Sequence, residues 1–451
     1  MKTVLHWFRR DLRVSDNTAL SEAARRAELV IPVFLPDESA PAESSVAAAP
    51  LAFFRQSLGA LKKSLADGGH ALLTRPGRAD AVLPQLCREL GAQAVFANKL
   101  YEPEIETRDQ RTFHALNAAG FGFELFKDAV IQEESDVLTQ AGKPFTVFTP
   151  YSKAWNARRV PAPVPDFLPP APDPAATGGG ESAGHELLRK FMSGPVHAYA
   201  TTRDLPHADG TSRLSPHLHW GTVGIRTVMA ACRDARARAA TPDARKSCDV
   251  FLNELVWREF FQQVLHHFPH VTRGAFRPEL DALKWSDDKG HFSAWCEGRT
   301  GYPVVDAAMR CLNATGWMHN RLRMIVAMFL TKDLLLPWQW GERYFMRQLV
   351  DADLAANNGG WQWSAGTGTD AAPYFRIFNP VSQSKRFDPD AAFIAQWLPE
   401  LAAFPAGLRH EPWLSPLETR AAGYPDRIVL HEEQRPKCLA MFEAAKRSRP
   451  Q

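Results

Sequence analysis

A chain of 451 residues, 45% hydrophobic and 23% charged, is long enough for two globular domains with sizeable cores and lies outside the composition of a disordered protein. Its net charge of +3 excludes a generally basic coat, so any nucleic-acid contact has to come from a local patch. Six scattered cysteines (Cys87, Cys232, Cys248, Cys296, Cys311, Cys438) without a C-x-x-C pair argue for reduced thiols and against a disulfide frame or a zinc site. The opening MKTVLHWFRRDL interrupts its apolar run with His6 and Arg9, and no apolar segment elsewhere is long enough for a bilayer. The expectation is a soluble cytoplasmic protein with no membrane partner.

In the first third, short apolar runs alternate with helical patterns. Strands are expected at Val4–Phe8, Leu29–Phe34, Ala71–Thr74, Ala94–Ala97 and Phe123–Phe126. Helices are expected near Asn17–Ala27, Pro50–Leu65, Arg78–Leu90 (with Pro84 inside) and Glu102–Ala119. This is the signature of an α/β domain with a five-stranded parallel sheet, placed at residues 1–130. The first strand is followed by RRDLRVSDN and no G-x-G-x-x-G, which excludes the usual dinucleotide mode. Arg9, Arg10 and Arg13 either hold an anion or a second chromophore, or form a solvated turn capped by Asp16 or Asn17.

Residues 131–185 read as an interdomain linker, clearest in PAPVPDFLPPAPDPAATGGGESAG, where proline and glycine favour an extended surface path. From 186 to 451 helical patterns dominate, giving a larger all-α domain. Within it, GTSRLSPHLHW sets Thr211, Ser212 and Ser215 around Arg213 ahead of a helix starting near Ser215–Pro216. That composition suits a phosphate cradle and equally a capped helix start. Cys248–His267 is apolar nearly all round, the pattern of an interior helix. Glu254, Trp257 and Arg258 share one of its faces, as an internal ion pair beside a core indole or as the lining of a polar cavity.

The run GYPVVDAAMRCLNATGWMHNRLRMIVAMFLTKDLLLPW reads as two helices broken near Thr315–Gly316 and stopped before Pro337. Asn320, Arg323 and Met324 share a face while Arg321 points elsewhere. An arginine on so apolar a helix requires an acidic partner, for which Asp351 or Asp353 would serve. Asp351–Trp363, DADLAANNGGWQW, packs two carboxylates, two asparagines, two glycines and two indoles into thirteen residues. It is either a helix end at Gly359–Gly360 followed by buried tryptophans, or a site for a planar aromatic ligand, with the glycines turning the chain between Trp361 and Trp363.

HWFRRDLR, TSRLSPHLHWG, NELVWREFF, GYPVVDAAMRCLNATGWMHNRLRM and DLAANNGGWQWSAGTGTDAAPYFRIFNP follow one another across almost the whole chain. In these blocks the chain resembles the photolyase and cryptochrome family, above all its bacterial branch acting on cyclobutane pyrimidine dimers. The resemblance implies an α/β antenna-type domain joined to a helical domain that holds a U-shaped FAD, reduced in the active form. Tyr199, Thr211, Ser212, Arg213, Leu214 and Ser215 match the family's flavin phosphate and ribityl contacts, with Arg203 nearby. Asp351 and Asp353 match acidic residues around the flavin, Arg323 the partner of the first, and Asn357 the residue beside the central-ring nitrogen. Trp361, Trp338 and Trp285 match an electron-relaying tryptophan chain. Phe251 stands where close relatives carry a tryptophan against the flavin, keeping apolar contact and losing the indole donor.

On the DNA side, Glu254, Trp257, Arg258, Asn320, Met324 and Trp363 match the pocket for the damaged dinucleotide; Arg258 and Asn320 also border the flavin. Aromatic walls (Trp257, Trp363) and donors (Asn320, Arg258) suit a stacked dimer whose carbonyls become negative on accepting an electron. Extrusion of the dimer from the duplex is likewise implied by the family, which counts among the base-flipping enzymes. Arg321, Arg376, Lys385 and Arg386 are candidates for backbone phosphates, with solvated surface charge as the plainer reading of the last two.

The resemblance therefore implies a light-dependent repair enzyme, a monomer in the bacterial cytosol and at the nucleoid when on damage. Its partner is double-stranded DNA bearing cyclobutane pyrimidine dimers. Against a signalling cryptochrome stand the lesion-pocket residues and a chain that ends soon after Lys446–Gln451. Against a (6-4) photoproduct enzyme stand Asn320 and Met324 where a histidine pair is expected, and Trp257 disfavours the single-strand-preferring cryptochrome branch. In YEPEIE, Glu104 and Ile105 replace the Asn–Glu pair of folate-binding members. That argues against a folate antenna and leaves a deazaflavin, another flavin or none.

Overall fold

The fold is that of a computed structural model describing residues 1–39, 45–170, 173 and 175–447. Residues 171, 172 and 174 of the proline-rich stretch, and 448–451 at the end of the chain, lie outside the described residues. Two compact units are formed, Met1–Ala200 with Thr211–His267, and Thr201–Gly210 with everything from Phe268.

The first unit is built on five parallel strands, β1 (Thr3–Phe8), β2 (Leu29–Phe34), β3 (Leu73–Thr74), β4 (Ala94–Asn98) and β5 (Gly122–Phe126), in the order β3-β2-β1-β4-β5. All six residues of β1 are buried, which is why its sequence is apolar on both faces apart from Thr3 and His6: a central strand covered on both faces has no side to leave to solvent. Helices Thr18–Arg26, Ala48–Asp67, Ala79–Leu90 and Pro103–Ala118 connect the strands. Only β3 falls short of its expected length, because two residues alone find a register on β2. The same unit contains helix Phe148–Asn156 and the long helix Pro242–His267.

Beyond β1, Arg9 and Arg13 are neither solvated nor available to an anion. Arg9 and Arg13 are 1% and 2% exposed. Arg9 donates to both oxygens of Asp109 at 2.8 and 2.6 Å, and Arg13 meets Asp128 at 2.6 Å. Arg226 closes the cluster, 2.7 Å from each of Asp16 and Asp128. Burial alone would raise the Asp128 carboxyl, but the Arg13 and Arg226 guanidiniums beside it hold it far below the ordinary carboxylate range. Arg10, at the rim, pairs with Glu102, and Asn17 caps helix Thr18–Arg26 through the Leu20 amide. A Cβ on Gly221, which has φ +65°, would lie 2.1 Å from the Arg10 carbonyl, so only glycine fits there.

The second unit is helical, around a core that includes Trp295, Tyr302, Phe329, Trp338, Phe345 and Trp361. Helix Pro303–Thr315 ends at Gly316 (φ +70°), and helix Asn320–Met328 restarts behind a His319 cap that accepts from the Arg321 amide. A π-helical turn, Phe329–Asp333, precedes helix Trp338–Gln348. Among the described residues no helix is long and apolar enough to cross a membrane.

Candidate active site

In the first unit the site residues sit on Pro242–His267 and on the segment before it. Trp257 is half-buried and lies face to face on Phe148, centroids 3.6 Å apart and planes 7° from parallel, so one face of this indole is already covered. Arg258 donates to the Ala129 carbonyl at 2.6 Å, which fixes the guanidinium, and Glu254 on the same face is half-buried. Phe251 is 3% exposed, packed on Phe191 at 5.0 Å and edge-on against Tyr199 at 5.4 Å. An aromatic cluster of this kind asks nothing of an indole N–H, so phenylalanine completes it.

Glu259, which the sequence reading passed over, is the buried carboxylate of this helix. It takes the backbone amides of Ile131 and Gln132 and the Trp155 indole N–H. Burial pushes its carboxyl up, and the hydrogen bonds oppose that. Its role is to tie the 131–132 backbone to the helix.

The cradle segment ends in helix Ser215–Trp220 with Pro216 in its first turn. Leu214 is buried, Thr211 and Ser212 half-buried, and Arg213 and Ser215 exposed. Arg213 adopts φ +50°, a left-handed conformation that costs a non-glycine residue about 1–2 kcal/mol, and the Ser212 hydroxyl accepts from the Leu214 amide at 3.3 Å.

In the second unit one expectation is overturned. Leu354–Ala365 is helical throughout and ends at Gly366, φ +81°; Gly359 and Gly360 neither stop the helix nor turn it. Trp361 and Trp363 diverge because residues two apart on a helix are about 200° apart round its axis. Trp361 is buried (2%) while Trp363 is half-buried. The helix persists because its inward side is so well held. Asn358 and Gln362 both donate to the Val271 carbonyl, at 3.0 and 3.1 Å, and Gln362 accepts from the Phe276 amide. This burial outweighs the cost of two glycines, about 1 kcal/mol each.

The opposite side is incompletely covered. Asp353, Ala356, Asn357, Gly360 and Trp363 lie along it, half-buried or exposed, and a Cβ on Gly360 would meet nothing within 4 Å. Asp353 caps the helix, accepting from the Ala356 amide at 2.9 Å. Of the two carboxylates it is Asp351 that takes Arg323, through both oxygens at 3.0 and 2.8 Å, while the Arg323 Nε holds the Met318 carbonyl. Asn357 donates to the backbone carbonyl of Glu342 at 3.0 Å. The Glu342 carboxyl is pushed up to about 7 by burial, with Arg343 and Asn357 pulling the other way. A polar, amide-bearing helix face with a bare glycine in it, beside an anchored Arg–Asp pair, suits the planar ring system and polar edge of a flavin.

Trp361 has Phe345 at 5.0 Å and Trp295 at 6.0 Å as close rings. Trp338 is buried in the same core and Trp285 is half-buried, edge-on to Phe442 at 6.5 Å. Trp295, wholly buried, was not singled out from the sequence; its position in the sequence carries no aromatic pattern that sets it apart. Asn320 is exposed at its helix start and Met324 half-buried. Arg321 is held by Asp204 at 2.8 Å and lies over Phe387. Lys385 pairs with Glu411, and Arg203 is half-buried, whereas Arg376 and Arg386 are exposed.

Residues 4–172 match the family described as DNA photolyase, and residues 251–444 that described as the FAD binding domain of DNA photolyase. A deoxyribodipyrimidine photo-lyase of Halobacterium salinarum is 41% identical, over 98% of this chain and 99% of its own length. The chain belongs to the DNA photolyase family. Photolyase structures agree with it throughout. A bacterial class III photolyase from Agrobacterium tumefaciens superposes with a TM-score of 0.91 at 36% identity, covering 99% of this chain and 98% of its own. An archaeal photolyase from Sulfolobus tokodaii, described with two FAD molecules, does so at 0.83 and 32%, covering 98% and 100%. FAD is the cofactor of the photolyase helical domain, and the open face of Leu354–Ala365 with Arg323 and Asp351 fits it.

Proposed function

We propose that the chain repairs cyclobutane pyrimidine dimers in double-stranded DNA by light-driven electron transfer, as a deoxyribodipyrimidine photo-lyase acting as a monomer. The observation that carries this reading is the end-to-end likeness, at 41% identity, to a relative bearing that name. When bound, reduced FAD supplies one electron to the dimer on absorbing blue or near-ultraviolet light and regains it after the ring opens, with no net redox change.

The chain's own groups have the following parts in this reading. Asp351, fixed by Arg323, and the amide of Asn357, fixed by Glu342, orient the flavin's polar edge. The exposed Arg213 and the hydroxyls of Thr211, Ser212 and Ser215 meet its phosphates, with Tyr199, Arg203, Leu214 and Phe251 around them. Trp257, one face already stacked on Phe148, and Trp363 offer aromatic surface to the dimer beside Met324. Asn320 and Arg258 donate to its carbonyls, and an ionised Glu254 accepts from its imide N–H. Trp361, Trp338 and Trp285 relay electrons inward. Arg376 and Arg321 meet backbone phosphates. Residues 1–130 act as the antenna-type domain, 131–185 as the connection and 186–451 as the catalytic part. For a second chromophore the first unit offers a cavity of about 490 Å³ along β5, where Phe113, Phe123 and Leu125 face Glu106, Glu134 and His266.

Illumination of the flavin-loaded protein with duplexes carrying either a cyclobutane dimer or a (6-4) photoproduct tests the reading. Restoration of the first lesion alone is expected; dimers left intact under light would overturn it.

A further inference from the structure

The second unit holds a cavity of about 330 Å³ that takes no part in the flavin and dimer chemistry. Its wall is rich in donors. Arg427 lies over Trp413, its guanidinium carbon 4.2 Å from the ring centroid, and more distantly over Tyr302. Among the described residues no carboxylate pairs with it. Stacking on an indole fixes the plane of the guanidinium while leaving its edge donors for another partner.

His431 forms a second part of this wall. Its Nδ1 is bound to Asp333 at 2.6 Å. Asp333 is fully buried, and its other oxygen has no hydrogen-bond partner among the described residues. A wholly buried carboxylate against one ring nitrogen fixes the orientation of an imidazole. Nε2, the remaining nitrogen, is left for the cavity, and the His431 side chain is itself 10% exposed. Ser382 and Lys385 lie at the edge, on helix Pro380–Phe387. The acids of the lining are Glu411, which Lys385 neutralises, and Glu432, which is exposed.

We propose that this cavity binds a phosphate group, gripped by the Arg427 guanidinium, with His431 Nε2, the Ser382 hydroxyl and Lys385 beside it. A flat fork together with a hydroxyl, an ammonium and a ring nitrogen around one cavity suits a tetrahedral anion with several oxygens better than a planar carboxylate, which the fork alone would satisfy. The cavity is larger than one phosphate, so the group can arrive free, on a nucleotide, or within a DNA backbone.

The test is calorimetric titration of the full-length, flavin-loaded protein with three probes: inorganic phosphate, a 5′-deoxymononucleotide, and an undamaged duplex, with chloride of matched ionic strength as control. Saturable binding of at least one probe is expected, weakened about tenfold or more in Arg427→Gln and partly restored in Arg427→Lys, with flavin content and melting temperature unchanged. Tighter binding of the mononucleotide than of phosphate identifies an ester ligand. If the backbone is the ligand, Arg427→Gln instead lowers the salt dependence of duplex binding by about one counterion. His431→Gln serves as the second variant, with melting followed separately because it leaves Asp333 unpaired. No saturable heat with any probe up to about 10 mM, binding equal in parent and Arg427→Gln, or an adventitious response reproduced by chloride would each overturn the proposal.

Discussion

The end of β1 and the face of Leu354–Ala365 are both crowded with polar groups, and they differ in what those groups are bonded to. In the first, Arg9, Arg13 and Arg226 meet Asp109, Asp128 and Asp16 within the unit, all nearly inaccessible. In the second, Asp351 and Arg323 hold each other and the amide nitrogen of Asn357 is anchored, but the face around Gly360 is bare. Charge density alone therefore says little about function. A closed set of charges is architecture, and a polar face left open on a rigid helix is a place for a ligand.

Four changes put pressure on this contrast. Asp128→Asn leaves two buried guanidiniums short of a counter-charge and is expected to cost about 3–5 kcal/mol of stability, read as a lower urea midpoint. A loss below about 1 kcal/mol would mean the cluster is more hydrated than its burial indicates.

Glu342 gives an opposite pH signature. Its carboxyl is raised from 4.5 to about 7 in the fold, so between those values the folded state holds a proton that the unfolded chain has released. Its stabilising effect is complete below about pH 4.5 and is lost as pH rises toward 7, by at most about 3 kcal/mol. Glu342→Gln should flatten this slope, measured as urea midpoints at pH 5 and 7; an unaltered slope would place the titrating group elsewhere. Asp128, held low, loses its contribution in the other direction, as pH falls below the ordinary carboxylate range.

Asn357→Asp puts a negative charge where an amide is proposed to face reduced flavin. A downward shift of the flavin midpoint potential by about 30 mV, equivalent to about 1.4 kcal/mol for two electrons, is expected. Retention of the parent potential and repair rate would remove Asn357 from the site. The smallest effect is that of Gly360→Ala. The added methyl has space and improves helix propensity by up to about 1 kcal/mol, so melting should rise slightly while flavin content per protein falls. Unchanged flavin content would show that nothing lies against this face.

The sheet was legible because its buried central strands β1, β2 and β4 are largely apolar runs, and the outer β3 and β5 follow in the same alternation with helices. The Arg323–Asp351 pair was legible too, since an arginine on an otherwise apolar helix has to be answered by an acid. The Arg9 and Arg13 cluster was not. Their partners Asp109 and Asp128 lie 100 and 115 residues away, and an arginine-rich turn reads as solvated until the fold brings acids to it. Gly359–Gly360 misled for a related reason: local preference marks a helix end, while Asn358 and Gln362, gripping Val271 from the same helix, decide otherwise. Glu259 was overshadowed by Glu254 on the same helix, because which carboxylate faces inward depends on the 131–132 backbone it binds.

Gly341 has no polar group and no partner to bind, yet a Cβ there would lie 2.0 Å from the Trp361 indole. The ring and the neighbouring helix are in contact through a hydrogen atom's width of clearance. Electron tunnelling weakens exponentially with separation, so in the proposed relay the position of the Trp361 ring, set in part by Gly341, matters. A methyl group at 341 would force the buried indole to shift, at a cost of about 1–3 kcal/mol, so one small change would lower the melting temperature and, in the proposed relay, alter the timing of charge transfer while every charged residue stayed in place.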